Sequence, residues 1–298
     1  MMFVSKTFSG LNQNALRYLL PNWMSAQTGV LLRLGAGSLL FLVYQLIMGR
    51  RFPRPSLKHA VVLILAGLVL VFGYMWTQLE GLTYTTPISS SIFMSLQPVF
   101  VFIFCLIIRT EKSTVKKVVG MLIGFGGALL CILTQHGSET ATDPLKGNLL
   151  CLFGSVLYAL YLIIEKRYIP RYGGPMVSLL TFGGGALGAA GLVCFTGWDA
   201  SVLQQNLFST PMLVLLFILF FPTFLSYLLQ DFSLKLLPAT VVSLYSNLIL
   251  IVSAIASYIL GQDRFSWWQI CAILLMITSV YLVEVSEQPS PQAKNTPA

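Results

Sequence analysis

Apolar runs of 17 to 23 residues, separated by short polar links, set the pattern of this chain. They fall at residues 27–48, 59–79, 87–108, 118–134, 147–164, 176–196, 211–230, 238–260 and 268–285. The runs are continuous rather than alternating, which predicts helices and not the strands of a lipid-facing barrel. A hydrocarbon core about 30 Å thick takes about 20 apolar residues per helical pass, so these nine runs predict nine full spans. Met1 to Val4 is apolar but too short to cross, and it lacks the layout of a signal peptide. Residues 8–26 carry Asn12, Gln13, Asn14, Arg17 and Pro21 and are expected to form a link. The stretch Gly73 to Phe104 is the most informative. One run ends near Glu80, a polar link follows, and Pro87 opens the next, where the missing N–H of a first-turn proline has no partner to lose. Two helices joined by a tight turn are expected there, the second bearing Ser90, Ser91, Ser95 and Gln97.

Composition supports a membrane protein. Of 298 residues, 56% are hydrophobic and 9% charged, with a mean hydropathy of +0.81; a soluble domain has about 25% charged residues. The net charge of +8 lies in short loops, not on one face, and excludes nucleic acid as a partner. The five cysteines lie inside apolar runs without a CxxC pair, so neither a disulfide framework nor a metal site is expected, and no cofactor. Basic loops (Arg50, Arg51, Arg54, Lys58; Arg109, Lys112, Lys116, Lys117; Lys166, Arg167, Arg171) alternate with links holding Glu80, then Glu139 and Asp143, then Asp199, then Asp263. Lys and Arg are enriched in short cytoplasmic loops. The basic loops and the C-terminus are therefore expected on the cytoplasmic side of the inner membrane. The tail 286–298 is expected to be disordered.

The landmarks recur. Pro87 falls over Pro238 at an offset of 151, which also places Glu80 over Asp231 and Ser95 over Ser246. This predicts a first repeat at 1–134, an external linker at 135–146 and a second repeat at 147–285. The second repeat has five spans; the first has four plus a stub at residues 1–8, as though the sequence began partway through a first helix. An odd number of spans per repeat gives the copies opposite orientations, an arrangement common in secondary transporters. The expected fold is an all-α membrane protein of two inverted five-helix bundles, ten helices with the first truncated.

Several stretches carry a family resemblance: Arg33 ahead of a small-residue run, the turn Glu80-Gly81-Leu82-Thr83-Tyr84-Thr85-Thr86-Pro87, Leu96-Gln97-Pro98-Val99, Leu236-Leu237-Pro238-Ala239-Thr240 and Leu260-Gly261-Gln262-Asp263. With the order of spans, these make residues 1–285 resemble the drug/metabolite transporter superfamily, in its EamA-type branch. The resemblance implies a ten-helix permease of the cytoplasmic membrane that moves a small metabolite or amino acid outward. Ile249 where the first copy has Pro98, and Gln262 where it has Glu111, depart from the pattern.

Polar groups at membrane depth are costly unless paired, so they mark candidate sites. Ser90, Met94 and Gln97 share a helix face, and Ser243 with Ser246 or Asn247, Ser253 and Ser257 form the matching stripe. Tyr74 and Gln78 are i, i+4, as are Thr223 and Tyr227; Ser155, Tyr158 and Tyr161 share a face. The substrate-binding candidates are thus Tyr74, Gln78, Ser90, Gln97, Tyr158, Tyr161, Tyr227, Ser243 and Asn247, with Arg33 as an intramembrane charge. The alternative for the hydroxyls and amides is bonding between helices or to their own backbone; for Arg33 it is a snorkelling side chain at the outer interface. Glu80 and Asp231 are expected at span ends, and Glu165 in a cytoplasmic ion pair, which leaves no mid-span carboxylate and the question of proton or ion coupling open. Gly184 and Gly188 allow close helix packing, with a homodimer interface as the sharper alternative. The partners expected are the bilayer and a small-molecule solute moved by alternating access. A membrane enzyme acting on lipid-linked groups and a non-transporting, degenerate relative are the competing functions.

Overall fold

Each apolar run of the sequence falls on helix in the computed structural model, which describes all residues except 21, 49–53, 109–114, 135–140, 238, 263–266 and 286–298. Among the described residues there is no strand. The order is α1 (Met2–Leu19), α2 (Ala26–Met48), α3 (Leu57–Ala66), α4 (Phe72–Tyr84), α5 (Pro87–Met94), α6 (Gln97–Ile107) and α7 (Val115–Thr134). Then come α8 (Pro144–Tyr172), α9 (Gly174–Thr196), α10 (Thr210–Ile218), α11 (Ser226–Leu236), α12 (Ala239–Leu244), α13 (Ser246–Ile259) and α14 (Trp267–Val285). Six helical stretches among the described residues are long and apolar enough to cross a membrane. The protein is a multi-pass membrane protein. Large apolar side chains such as Leu46, Ile47, Phe195 and Leu216 are exposed, as a face turned to hydrocarbon requires.

The turn expected around Pro87 is present. The α4 helix stops at Tyr84, and Pro87 opens α5. The Thr86 side chain accepts the backbone N–H of Ser89 at 3.3 Å, an N-cap. Replacing Thr86 by alanine should cost about 1 kcal/mol, read as a lower midpoint of thermal unfolding. The stretch Pro87–Ile107 is the most enclosed of the six, with 72% of its apolar window buried against 50% or less for the others. It is not one straight helix: α5 and α6 break at Ser95 and Leu96, and α12 and α13 break likewise at Tyr245. Single π-helical stretches join α3 to α4 at Gly67–Val71 and α10 to α11 at Leu219–Leu225.

The main correction concerns residues 8–26. Residues 8–19 are not a link after a stub; they continue α1, an 18-residue helix. Its polar side chains face inward: Ser5, Lys6, Asn12, Gln13 and Asn14 are buried, while Phe3 and Val4 are exposed. In lipid the favourable arrangement is the reverse of that in water, because polar groups need protein partners. Arg17, at the end of α1, donates to the carbonyls of Leu82 at 2.9 Å and Thr83 at 3.1 Å. It thereby satisfies the open end of α4.

Packing runs between distant parts of the chain. The α2 helix lies on α9, α7 on α14, α4 on α8 and α1 on α13. The α3–α9 crossing is close because of two glycines. A Cβ at Gly67 would stand 2.0 Å from the Thr181 carbonyl oxygen, and one at Gly184 would stand 2.1 Å from that of Ile64. The basic residues Arg50, Arg51, Arg109 and Lys112, the acids Glu139 and Asp263, Pro238 and the tail 286–298 lie outside the described residues.

Candidate functional site

Helices α1, α2, α4, α5 and the α10–α11 segment enclose a cavity of about 50 Å³. Its polar wall comes from Ser9, Asn12 and Gln13 of α1, Arg33 of α2, Tyr74 and Gln78 of α4, and Tyr227 of α11. Leu16, Met75, Leu79, Met94 and Pro222 supply the apolar part. A water needs roughly 10–15 Å³ of such volume, so the space takes a few waters and no metabolite; a solute would require the walls to part. A wider recess of about 440 Å³ lies on the other face of α1, between α10 and α13, with an apolar lining suited to lipid.

Arg33 is buried, not snorkelling. It is 6% exposed, and its Nε donates to Thr223 Oγ1 at 3.0 Å. Thr223 lies on the π-helical stretch opposite α2. Tyr227 shares the cavity wall with Arg33, and among the described residues no carboxylate is seen paired with that guanidinium. Tyr227 is hydrogen-bonded to Tyr74, which fixes both hydroxyls at the cavity. Burying a cation without a carboxylate partner is expensive, so this corner of the cavity favours negative charge.

The amides form the opposite wall. Gln78 Nε2 donates to the Cys151 carbonyl at 3.0 Å. Ser90 Oγ lies 3.2 Å from Gln13 Oε1 and 3.3 Å from Gln78 Oε1, so one hydroxyl bridges two amides at the cavity edge. Asn12 Oδ1 is buried and has no partner among the described residues. An unsatisfied buried acceptor costs about 1–3 kcal/mol, which an N–H-bearing solute would relieve.

A second polar group sits beside the cavity, between α1, α8, α9 and α11. Tyr158 donates to Gln230 Oε1 at 2.7 Å, and Lys6 Nζ donates to the same oxygen at 2.9 Å. Tyr161 donates to Glu165 Oε1 at 2.6 Å, and Ser178 to Asp231 Oδ2 at 2.7 Å. Glu165 and Asp231 are 0% and 1% exposed. The expectation for Glu165 is therefore corrected, since it is buried and not in a surface ion pair, and Asp231 is enclosed by protein near the end of α11. Their places follow from α8 and α11 extending past the apolar runs, to Tyr172 and Leu236. Lys166 does turn outward from this group, donating to the Leu234 and Leu237 carbonyls at the end of α11.

Four sequence candidates thus line the cavity: Arg33, Tyr74, Gln78 and Tyr227. Ser90 adjoins it. Tyr158 and Tyr161 belong to the neighbouring group. Gln97 does not reach the cavity; its Oε1 accepts from Ser246 Oγ at 3.0 Å, tying α6 to α13. The break at Ser95 and Leu96 is why the stripe from Ser90 does not continue to Gln97. Ser243 is buried on α12 and is not part of the lining, and the Asn247 side chain lies outside the described residues. Ser253 and Ser257 face α1 through Asn14 instead of the cavity. Sequence reasoning missed Ser9, Asn12, Gln13, Lys6 and Gln230. The α1 residues did carry a signal, since Ser5, Ser9 and Gln13 recur at i, i+4, i+8.

The EamA-like transporter family matches the chain twice, at residues 1–133 and 145–285. The protein is similar to "Uncharacterized transporter YyaM" of Bacillus subtilis (strain 168), 29% identical over 91% of this chain and 88% of that one. It is also similar to "Uncharacterized transporter YetK" of the same organism, 24% identical over 86% and 78%. A solved crystal structure has the same fold, with a TM-score of 0.69 at 16% identity over 96% of this chain and 98% of that one. With the family matched over nearly all of its length, the chain belongs to the EamA-like transporter family.

Proposed function

We propose that the protein is a secondary transporter that exports a small polar solute bearing an anionic group across the cytoplasmic membrane, by alternating access. The observation that carries this is the narrow cavity in which Arg33, Tyr227, Tyr74, Gln78 and Gln13 converge. Its polar groups can replace a solute's hydration, and Arg33 supplies the charge for a carboxylate or similar group.

The rocking parts are two inverted five-helix halves, ten passes in all. Three observations support this. The family match occurs twice. The π-helical stretches at Gly67–Val71 and Leu219–Leu225, and the helix breaks at Ser95 and Tyr245, recur about 150 residues apart, in the same order. The pairings α2–α9 and α7–α14 join equivalent helices of the two halves. On this account α1 is the first pass, α3 with α4 and α10 with α11 are equivalent passes, and the basic loops and C-terminus are cytoplasmic. Membrane-enzyme chemistry has less support, since family and relatives carry transporter names.

Purified protein in liposomes tests this by counterflow of a labelled solute found in a metabolite export screen. Tyr227→Phe and Gln78→Ala should each weaken apparent affinity by up to about tenfold, the worth of one hydrogen bond. Gln97→Ala should leave affinity unchanged and lower thermal stability instead, because it severs only the bond to Ser246. Equal affinities in all three variants would remove the cavity from the transport route.

A further inference from the structure

We propose that Glu165 and Asp231 are a proton-binding pair, sharing one proton at neutral pH and carrying it in the same direction as the anionic solute. The coupling rests on the transport reading above; the shared proton does not.

The geometry comes first. The two acids belong to one buried polar group between α8 and α11: Gln230, the residue next to Asp231, reaches Glu165 Oε2 at 3.5 Å, and both carboxyls are shielded from solvent. Carboxylate oxygens are acceptors only, so two of them meet favourably when a proton lies between. Three of the four oxygens have donors: Tyr161 on Glu165 Oε1, Gln230 at 3.5 Å on Glu165 Oε2, and Ser178 on Asp231 Oδ2. The fourth, Asp231 Oδ1, is buried without a donor among the described residues. A proton shared with Glu165 would satisfy it. Gly174 leaves room for Asp231, since a Cβ there would stand 2.2 Å from Asp231 Cβ.

Charge balance gives the proton count. The charged group facing the pair from α1 is Lys6, 3% exposed and held by Gln230. Tyr158 and Tyr161 face it from α8, Ser178 from α9, and Gln230 and Tyr227 from α11; Arg33 stands beyond Tyr227 on α2. Arg33 is held at the cavity by Thr223, so within the group itself one lysine cation and two carboxyls holding one proton are neutral together. Removing that proton leaves an uncompensated negative charge in a dry site, which is costly.

The same charge explains coupling. The Tyr158 ring packs edge-on to Tyr74, and Tyr74 is bonded to Tyr227 at the cavity wall. Ser9, also in that wall, lies 3.1 Å from Ser226 Oγ, one turn from Gln230. An anion in the cavity is repelled by a deprotonated pair and not by a neutral one, so proton and anion favour each other's binding. They travel together, and outward flux runs down the solute's own gradient. The proton leaves the pair as a hydronium ion when the site opens to water, and no bond other than O–H is broken.

Infrared spectroscopy of the purified protein in nanodiscs tests the site without any solute. At about pH 7, where a solvated carboxyl is ionised, the wild type should show a protonated-carboxyl band that Glu165→Gln and Asp231→Asn each remove or shift. Glu80→Gln, at the far end of α4, should leave it in place. No such band in the wild type, or a band unmoved by both substitutions, would overturn the proposal; so would its loss on adding sodium at constant pH, the mark of a metal-cation site. Proteoliposomes loaded with pyranine and a panel of amino acids, keto acids and dicarboxylates test the coupling. An outward gradient of a transported member should raise the internal pH, and Glu165→Gln should abolish the pH change. Solute flux without a pH change, or with acidification, overturns the coupling and leaves the transport reading intact. No flux of any member overturns the transport reading and the coupling together, while the infrared band still decides the site.

Discussion

Arg33→Gln should lower solute transport by about 10- to 100-fold, the worth of a charge-assisted contact of about 1.5–3 kcal/mol. The guanidinium is 6% exposed, bonded to Thr223 and aligned with Tyr227 at the cavity. Arg33→Lys keeps the charge but loses the planar fork, and should recover part of the activity. The stability readout separates a solute-binding role from a structural one. Because no carboxylate among the described residues pairs with it, removing the cation relieves a desolvation cost, and Arg33→Gln should unfold at the same temperature as the wild type or higher. A variant both inactive and much less stable would mean that Arg33 serves packing.

Gly184→Leu should abolish the folded protein, and Gly67→Val should do nearly the same. At each position a Cβ would sit about 2 Å from a backbone carbonyl oxygen of the facing helix, Ile64 for Gly184 and Thr181 for Gly67. A backbone atom cannot rotate away, so α3 and α9 would have to separate. Overpacking costs about 1–3 kcal/mol even where side chains can shift, and more where they cannot, a large part of a typical stability of about 5–15 kcal/mol. Fluorescence-detected gel filtration after heating measures it. Gly191→Ala, where nothing stands within 4 Å, is the control and should behave as wild type.

The helices were legible because nine runs are continuously apolar apart from single polar stripes, and length marks them as spans. The α1 helix was not, because its polar residues read as a link when counted without their spacing. Ser5, Ser9 and Gln13 lie one above another on the face turned to the protein, and the lipid-facing side is carried by Phe3 and Val4. Tyr74 and Gln78 were found from an i, i+4 pair because α4 is regular there, and Tyr227 from its pairing with Thr223, which lies on the π-helical stretch just before α11. Gln97 was misplaced because the break at Ser95 and Leu96, which Pro98 in the first turn of α6 signals, was not read as the start of a new helix. Glu165 was misjudged for a related reason. A charged neighbour such as Lys166 makes a span look finished, yet the helix continues and turns the carboxyl inward while the lysine points out.

The most direct test of a transport site at Arg33 is a metabolite export screen comparing cells that overexpress the wild type with cells that overexpress Arg33→Gln at equal membrane abundance. One or more anionic metabolites should accumulate outside the cells with the wild type and remain at background with the variant. Equal accumulation in both, or export of cations alone, would contradict the account.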